Sequence, residues 1–161
     1  TSEEIWQSSE IFTSQHKSVF LASYESEIFI NQKISDQKWE HIFAIKDSVN
    51  LAIEQARSED RVKGSLDCKI TLELSTELFN LLKIFDKELQ FIFIVSSVEI
   101  ILDKTLKDNE FHVTKVENLD APKCIRCWNK SYTVGDSGSD PEICDRCILN
   151  IKGDGEDRVF A

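Results

Sequence analysis

The stretch Pro122-Lys123-Cys124-Ile125-Arg126-Cys127-Trp128 is answered by Glu142-Ile143-Cys144-Asp145-Arg146-Cys147, so two C-x-x-C pairs stand sixteen residues apart. That is the spacing of a four-cysteine zinc ribbon. Each pair turns tightly enough to aim two thiolates at one point, and residues 128–143 bring the chain back to complete a tetrahedron with Zn–S distances of about 2.3 Å. Four sulfur ligands from Cys124, Cys127, Cys144 and Cys147 close the shell. Such a site leaves no position for water or substrate and holds structure together. The competing reading is a pair of disulfides. It is disfavoured by the odd fifth cysteine, Cys68, and by an N-terminus without an export pattern.

Working outward from the knuckles, the charge pattern limits what this module could touch. The chain carries 19 Lys plus Arg against 29 Asp plus Glu, a net charge of −10. A non-specific nucleic-acid binder draws its affinity from cations that neutralise phosphates, so this balance argues against one. The imbalance is concentrated upstream. Residues 1–121 hold 13 cations against 22 anions, or −9, and residues 122–161 hold 6 against 7, or −1. A polyanion contact therefore belongs to the cysteine-bearing end. Four thiolates around one Zn²⁺ carry two negative charges, and offsetting them is an equally good use of Arg126, Arg146, Lys123 and Lys130.

Upstream of Pro122 the periodicity describes a small α/β unit. Cys68–Leu74 alternates Ile70, Leu72 and Leu74 with Lys69, Thr71 and Glu73, as a strand does, and Cys68 reads as a small buried apolar residue. Thr76 to about Phe93 places Leu78, Phe79, Leu82, Phe85, Leu89 and Ile92 at helical steps. Strands follow at Ser97–Leu102 and Phe111–Glu117. Before them, Ser35 caps a helix over Asp36–Arg57 whose stripe contains Trp39, Ile42, Phe43, Val49, Ile53 and Ala56. Residues 8–35, with Phe12, Phe20, Tyr24 and Phe29, read as a loop with short extended pieces, preceded by a helix that Ser2 caps. The closing stretch Gly153–Ala161 reads as too glycine-rich and charged to fold by itself. The fold class expected is α+β: the end of a helical bundle over residues 1–62, a small α/β unit over 63–121, and a zinc ribbon with its tail over 122–161.

Several functions find no support in the residues. The longest apolar run, Phe91–Val95, is far below the ~20 residues of a membrane helix. No Gly-rich phosphate loop, G-x-S-x-G or H-E-x-x-H occurs, and His16, His41 and His112 stand far apart. Reduced thiols place the chain in the cytoplasm. The absence of methionine reads as a piece of a longer protein.

Taken together, Lys123–Trp128, Glu142–Cys147 and the Gly153-Asp154-Gly155-Glu156 stretch with Phe160-Ala161 resemble the C-terminus of bacterial-type isoleucyl-tRNA synthetases. Upstream, Val49-Asn50, Ile53–Arg57 and Gly64-Ser65-Leu66 are similar to that family's junction between the anticodon-binding bundle and the C-terminal region, and Glu3–Trp6 to an earlier bundle helix. In the helix over Asp36–Arg57, Lys46 departs from the arginine that many relatives have, and a lysine cannot make the bidentate contacts of a guanidinium. The resemblance implies a class I ligase whose ATP and magnesium sites lie in a catalytic domain outside this chain, since its H-I-G-H and K-M-S-K-S motifs do not occur here. It further implies isoleucine tRNA, at its anticodon region, and the upstream domains of the same enzyme as partners, with no membrane partner and a monomeric state. Trp128, Arg126, Lys130 and Arg146 become the candidate RNA contacts. RNA loops are read through bases stacked on aromatic or guanidinium planes, and Trp128 directly follows a zinc ligand. Two alternatives stay open: Trp128 packs with Tyr132 and Ile143 as the core of the ribbon, or the ribbon is a docking module for protein or interdomain contacts. A DNA-binding zinc module is a third possibility, disfavoured by the acidic body.

Overall fold

The strand with the clearest alternation becomes the centre of the sheet. The computed structural model describes residues 1–23, 34–153, 155–156 and 158–160, and falls into two units, residues 1–33 and 34–161. In the larger unit β1 (Cys68–Leu74) lies between β2 (Ser97–Leu102) and β3 (Phe111–Asn118). It runs parallel to β2, with Lys69 opposite Ser97 and Leu74 opposite Leu102. It runs antiparallel to β3, from Cys68 opposite Asn118 to Leu74 opposite Phe111. The register shifts once, between Thr71 and Leu72, where Thr114 is the extra residue and donates its hydroxyl to the Thr71 carbonyl at 3.3 Å. With partners on both edges, β1 is buried even at Thr71, which the alternation had put outside.

A parallel pair requires a crossover, and residues 75–96 supply it. The single helix expected over 76–93 is instead α4 (Thr76–Lys83), a 3-10 turn at Asp86–Glu88 and α5 (Leu89–Phe93). Asp86 takes a φ of 44° at the break. An unbroken helix of that length would run about 27 Å, whereas a seven-residue strand spans about 23 Å. The break shortens the return path. Leu78, Leu82, Phe85, Leu89 and Ile92 all reach the core despite it, which is why their spacing gave no sign of it. Ile94 ends α5 in the left-handed region (φ 57°, ψ 52°), and the next amide, that of Val95, donates to the Gln90 carbonyl at 3.0 Å.

The long helix α3 (Asp36–Ser58) starts after Ser35 as expected, although the Ser35 side chain makes no capping bond. Ile42, Ile45, Val49, Ile53 and Ala56, at steps of three and four, are its buried stripe. Phe43, expected in that stripe, is exposed and stacks on Trp39 at 5.8 Å, while Trp39 meets the edge of Phe85 at 5.7 Å. The helix and the sheet, expected on either side of residue 62, share one core with α4 and α5.

The smaller unit corrects the reading of its sequence. The helix expected at the N-terminus is α1 (Ser2–Gln7), whereas a second short helix, α2 (Glu10–Gln15), and a 3-10 turn at Val19–Leu21 stand where a loop was expected. Thr1, rather than Ser2, caps α1, in a capping box with Glu4, and Ser9 caps α2. Six-residue helices are too short to display a period. Their order comes from local contacts: Trp6 stacks on Phe12 at 4.9 Å, the Trp6 indole donates to the His16 carbonyl at 2.8 Å, and the Glu3 carboxylate accepts from Ser18 and Val19. Tyr24 and Phe29 lie outside the described residues. No helix among the described residues is long and apolar enough to cross a membrane.

Leu72 is fully buried in the central strand, so Leu72→Ala is expected to cost about 2–5 kcal/mol of stability. Urea denaturation should show this as a lower midpoint at unchanged slope.

Candidate metal centre

The first knuckle is a tight reversal. Lys123 and Lys130 form a single antiparallel bridge, the Cys124 amide donates to the Asn129 carbonyl at 2.9 Å, and the Trp128 amide donates back to the Cys124 carbonyl at 2.9 Å. Closing this turn puts Trp128 at φ 65°, a conformation costly for a bulky side chain. The second knuckle was expected to complete a ribbon and instead opens a helix, α6 (Asp145–Lys152), with Cys144 as N-cap and Cys147 in its first turn. Asp145 suits the helix N-terminus, and it also clasps the returning loop: Thr133 Oγ1 donates to Asp145 Oδ1 at 2.8 Å and accepts from the Asp145 amide at 3.2 Å.

These two turns bring four sulfurs together. The Sγ atoms of Cys124, Cys127, Cys144 and Cys147 all lie within 4.8 Å of one another, with Cys124 to Cys147 at 3.7 Å and Cys127 to Cys144 at 3.8 Å. A tetrahedron with Zn–S bonds of about 2.3 Å has edges of about 3.8 Å, so the donor set fits zinc in kind and in spacing. All five cysteines are free thiols, which removes the disulfide reading. Cys124, Cys144 and Cys147 are buried with Ile143, and Val134 and Ile148 pack beside them. This is the small core that Trp128 and Tyr132 were candidates to build. Both are exposed instead, Trp128 at 64% and Tyr132 at 70%.

The arginine inside each knuckle serves the other knuckle. The Arg126 guanidinium donates to the Cys147 sulfur at 3.6 Å, and the Arg146 guanidinium interacts with the Cys127 sulfur. Burial acts to lower the basicity of Arg146, but the Cys127 sulfur and the charges of Glu156, Cys127 and Cys147 outweigh it and raise its pKa. Two guanidiniums balance the two negative charges of a zinc tetrathiolate. The thiols differ among themselves. Burial pushes Cys144 up to about 12 and also raises Cys147, whereas at Cys124 burial is overcome by hydrogen bonds from the Cys127, Cys144 and Arg126 amides, which bring it down to about 6. Cys68 lies apart in β1, where burial raises its thiol to about 11, in keeping with a small apolar packing residue.

Lys130 mounts the module on the sheet. Its amide donates to Ser96 Oγ at 2.8 Å, and Ser96 Oγ in turn donates to the Leu66 carbonyl at 2.5 Å. Its ammonium reaches the Leu119 carbonyl at 2.9 Å and Asn118 Oδ1 at 3.0 Å, while Lys123 pairs with Asp67 at 3.2 Å. Arg146 is likewise engaged, with Glu156 at 3.2 Å. Of the four residues singled out from sequence, Trp128 projects outward, and the three cations have partners within the protein. The segment after α6 is also involved. Rather than standing free, it packs on the α/β unit through Arg158 over Phe91 and Phe160 against Phe85, a docking with no local sequence signal because its partners lie about seventy residues upstream.

A closed four-sulfur centre joining a reversed turn to a helix N-terminus is a structural zinc finger, and residues 122–150 match the family described as "Zinc finger found in FPG and IleRS". The four cysteines form a zinc-binding site. Along its whole length the chain is related to bacterial isoleucyl-tRNA synthetases, as the sequence resemblance had implied. It is 34% identical to the isoleucine–tRNA ligase of Pseudoalteromonas atlantica over 100% of the chain, 38% identical to that of Wigglesworthia glossinidia brevipalpis over 99%, and 33% identical to that of a Shewanella species over 100%. The chain spans 18% of the length of each of these relatives.

Metal removal separates the two halves of the larger unit. Zinc binding in small modules contributes roughly 10–16 kcal/mol, so a chelator should unfold residues 122–150 and leave β1–β3 paired, as hydrogen exchange would show. Because the raised thiols of Cys144 and Cys147 must lose protons to bind, zinc affinity should fall as pH falls, and metal titrations with proton counting should record proton release.

Proposed function

We propose that this chain is the anticodon-side, C-terminal part of a class I isoleucyl-tRNA synthetase, and that it helps hold isoleucine tRNA while domains outside the chain use ATP and magnesium to attach the amino acid. Similarity to isoleucine–tRNA ligases over 100% of the chain supports the assignment to the ligase. The observation that favours RNA contact is the exposure of Trp128 on a metal-fixed turn. An indole held out by such a turn is a stacking platform, and stacking contributes about 1–3 kcal/mol per base. Arg126 and Lys130 flank Trp128 at two residues on either side, and Arg126, whose guanidinium reaches the Cys147 sulfur, is the cation proposed to meet the phosphates. In this proposal Lys130 and Arg146 act mainly by positioning the module, since their charged groups already have partners. The same reading makes the whole enzyme cytoplasmic and monomeric.

A docking module for protein or interdomain contacts is the second reading, favoured by the net charge of −10 and by the engaged cations. The readings part at Trp128. In the full-length synthetase, Trp128→Ala is expected to raise the KM for tRNA about five- to a hundred-fold, the equivalent of one lost stack, with isoleucine activation and zinc content unchanged. An unaltered KM for tRNA would favour the docking reading.

A further inference from the structure

One carboxylate joins the metal module to the segment that follows it. Glu156 accepts from Arg146 at 3.2 Å and from Arg158 at 2.6 Å, and both guanidiniums lie over the Phe91 ring, 5.0 and 3.9 Å from its centre. Further along, the Val159 and Phe160 amides donate to the two oxygens of Glu88, each at 2.7 Å. The Phe160 ring packs on Phe85 at 4.8 Å. Phe85, Glu88 and Phe91 all belong to the β1–β2 crossover, so the break after α4 together with α5 is the surface that receives this segment.

Arg146 is the shared member of the two assemblies. It sits between ligands Cys144 and Cys147 in the first turn of α6, and its guanidinium holds Glu156. Asn150, one turn further along α6, donates to the Arg146 carbonyl at 2.9 Å and to Glu156 at 3.5 Å. The two ligands that flank Arg146 thus place its backbone, and Glu156 holds its guanidinium.

We infer that the segment bearing Glu156, Arg158 and Phe160 is a metal-coupled strap: zinc in the four-cysteine site and the docking of this segment on Phe85, Glu88 and Phe91 stabilise each other through Arg146. Four ionised sulfurs around zinc keep Arg146 and the first turn of α6 in place, and Arg146 in place presents Glu156 and Arg158 to Phe91. Without the metal the first turn of α6 loses its anchor, the strap loses its link, and the Phe85 and Phe91 rings are uncovered. Coupling between two binding equilibria is reciprocal, so loosening the strap weakens zinc binding by the factor with which zinc loss loosens the strap. The inference is independent of any RNA contact.

The test uses the whole chain with two readouts. Zinc affinity is measured by competition with a chromophoric chelator in the parent, in Glu156→Gln, which cuts the link to Arg146, and in Phe160→Ala, which removes an anchor remote from the sulfurs. Hydrogen exchange at the Val159 and Phe160 amides is measured in the parent with and without zinc. Val62→Ala, a core truncation outside the strap and its receiving surface, is the control. Both strap variants should lose at least about five-fold in zinc affinity, the lower end of ordinary coupling. The two amides should lose protection by a similar factor on zinc removal, and the control should keep its affinity. Undiminished affinity in either strap variant, amide protection that survives zinc removal, or an equal loss in Val62→Ala would each overturn the coupling.

Discussion

Four sulfurs converging on one point are the constraint on which the distal half of this protein depends. The segment 122–150 has only Ile143, Val134 and Ile148 to pack beside its cysteines. Chains below about forty residues seldom bury enough apolar surface to fold unaided, and a metal is one of the few remedies. With the cluster closed, the rest of the segment is free for other uses: α6 starts at a ligand, the loop 128–143 is clasped at Thr133, and Trp128 and Tyr132 face solvent because no core needs them.

The sheet gives that cluster a fixed mounting. β1 is buried through both of its neighbours, and its first residues lie beside Leu66, Asp67 and Ser96. These residues, with Asn118 and Leu119 at the end of β3, receive Lys123 and Lys130. A cation that sequence alone offers as a phosphate partner thus becomes a bolt between modules. The charge ledger follows the same logic: Arg126 and Arg146 each face a sulfur of the opposite knuckle, so the basic residues around the cluster answer its own field first.

What could be read from the sequence was whatever is encoded locally. The C-x-x-C pairs carry their geometry in their spacing, β1 falls where its alternation puts it, and α3 starts directly after Ser35. The break between α4 and α5 was hidden because Leu78, Leu82, Phe85, Leu89 and Ile92 suit both a straight and a broken helix. The helix α2 was hidden by its length. The strap was hidden because Glu88 and Phe160 are 72 residues apart, and nothing in a stretch of glycine and charge announces a partner so distant. The outward side chain of Trp128 was one of two open readings, and it was decided by which residues filled the small core.

The distal module depends on four cysteines that form one closed, all-sulfur zinc centre. X-ray absorption at the zinc edge on the reduced, metal-loaded chain reads that shell without intermediaries. The expected spectrum is that of one zinc per chain with four sulfur neighbours at about 2.3 Å and no nitrogen or oxygen neighbour. A first shell containing nitrogen or oxygen, or a folded residue 122–150 segment that binds no zinc, would contradict it.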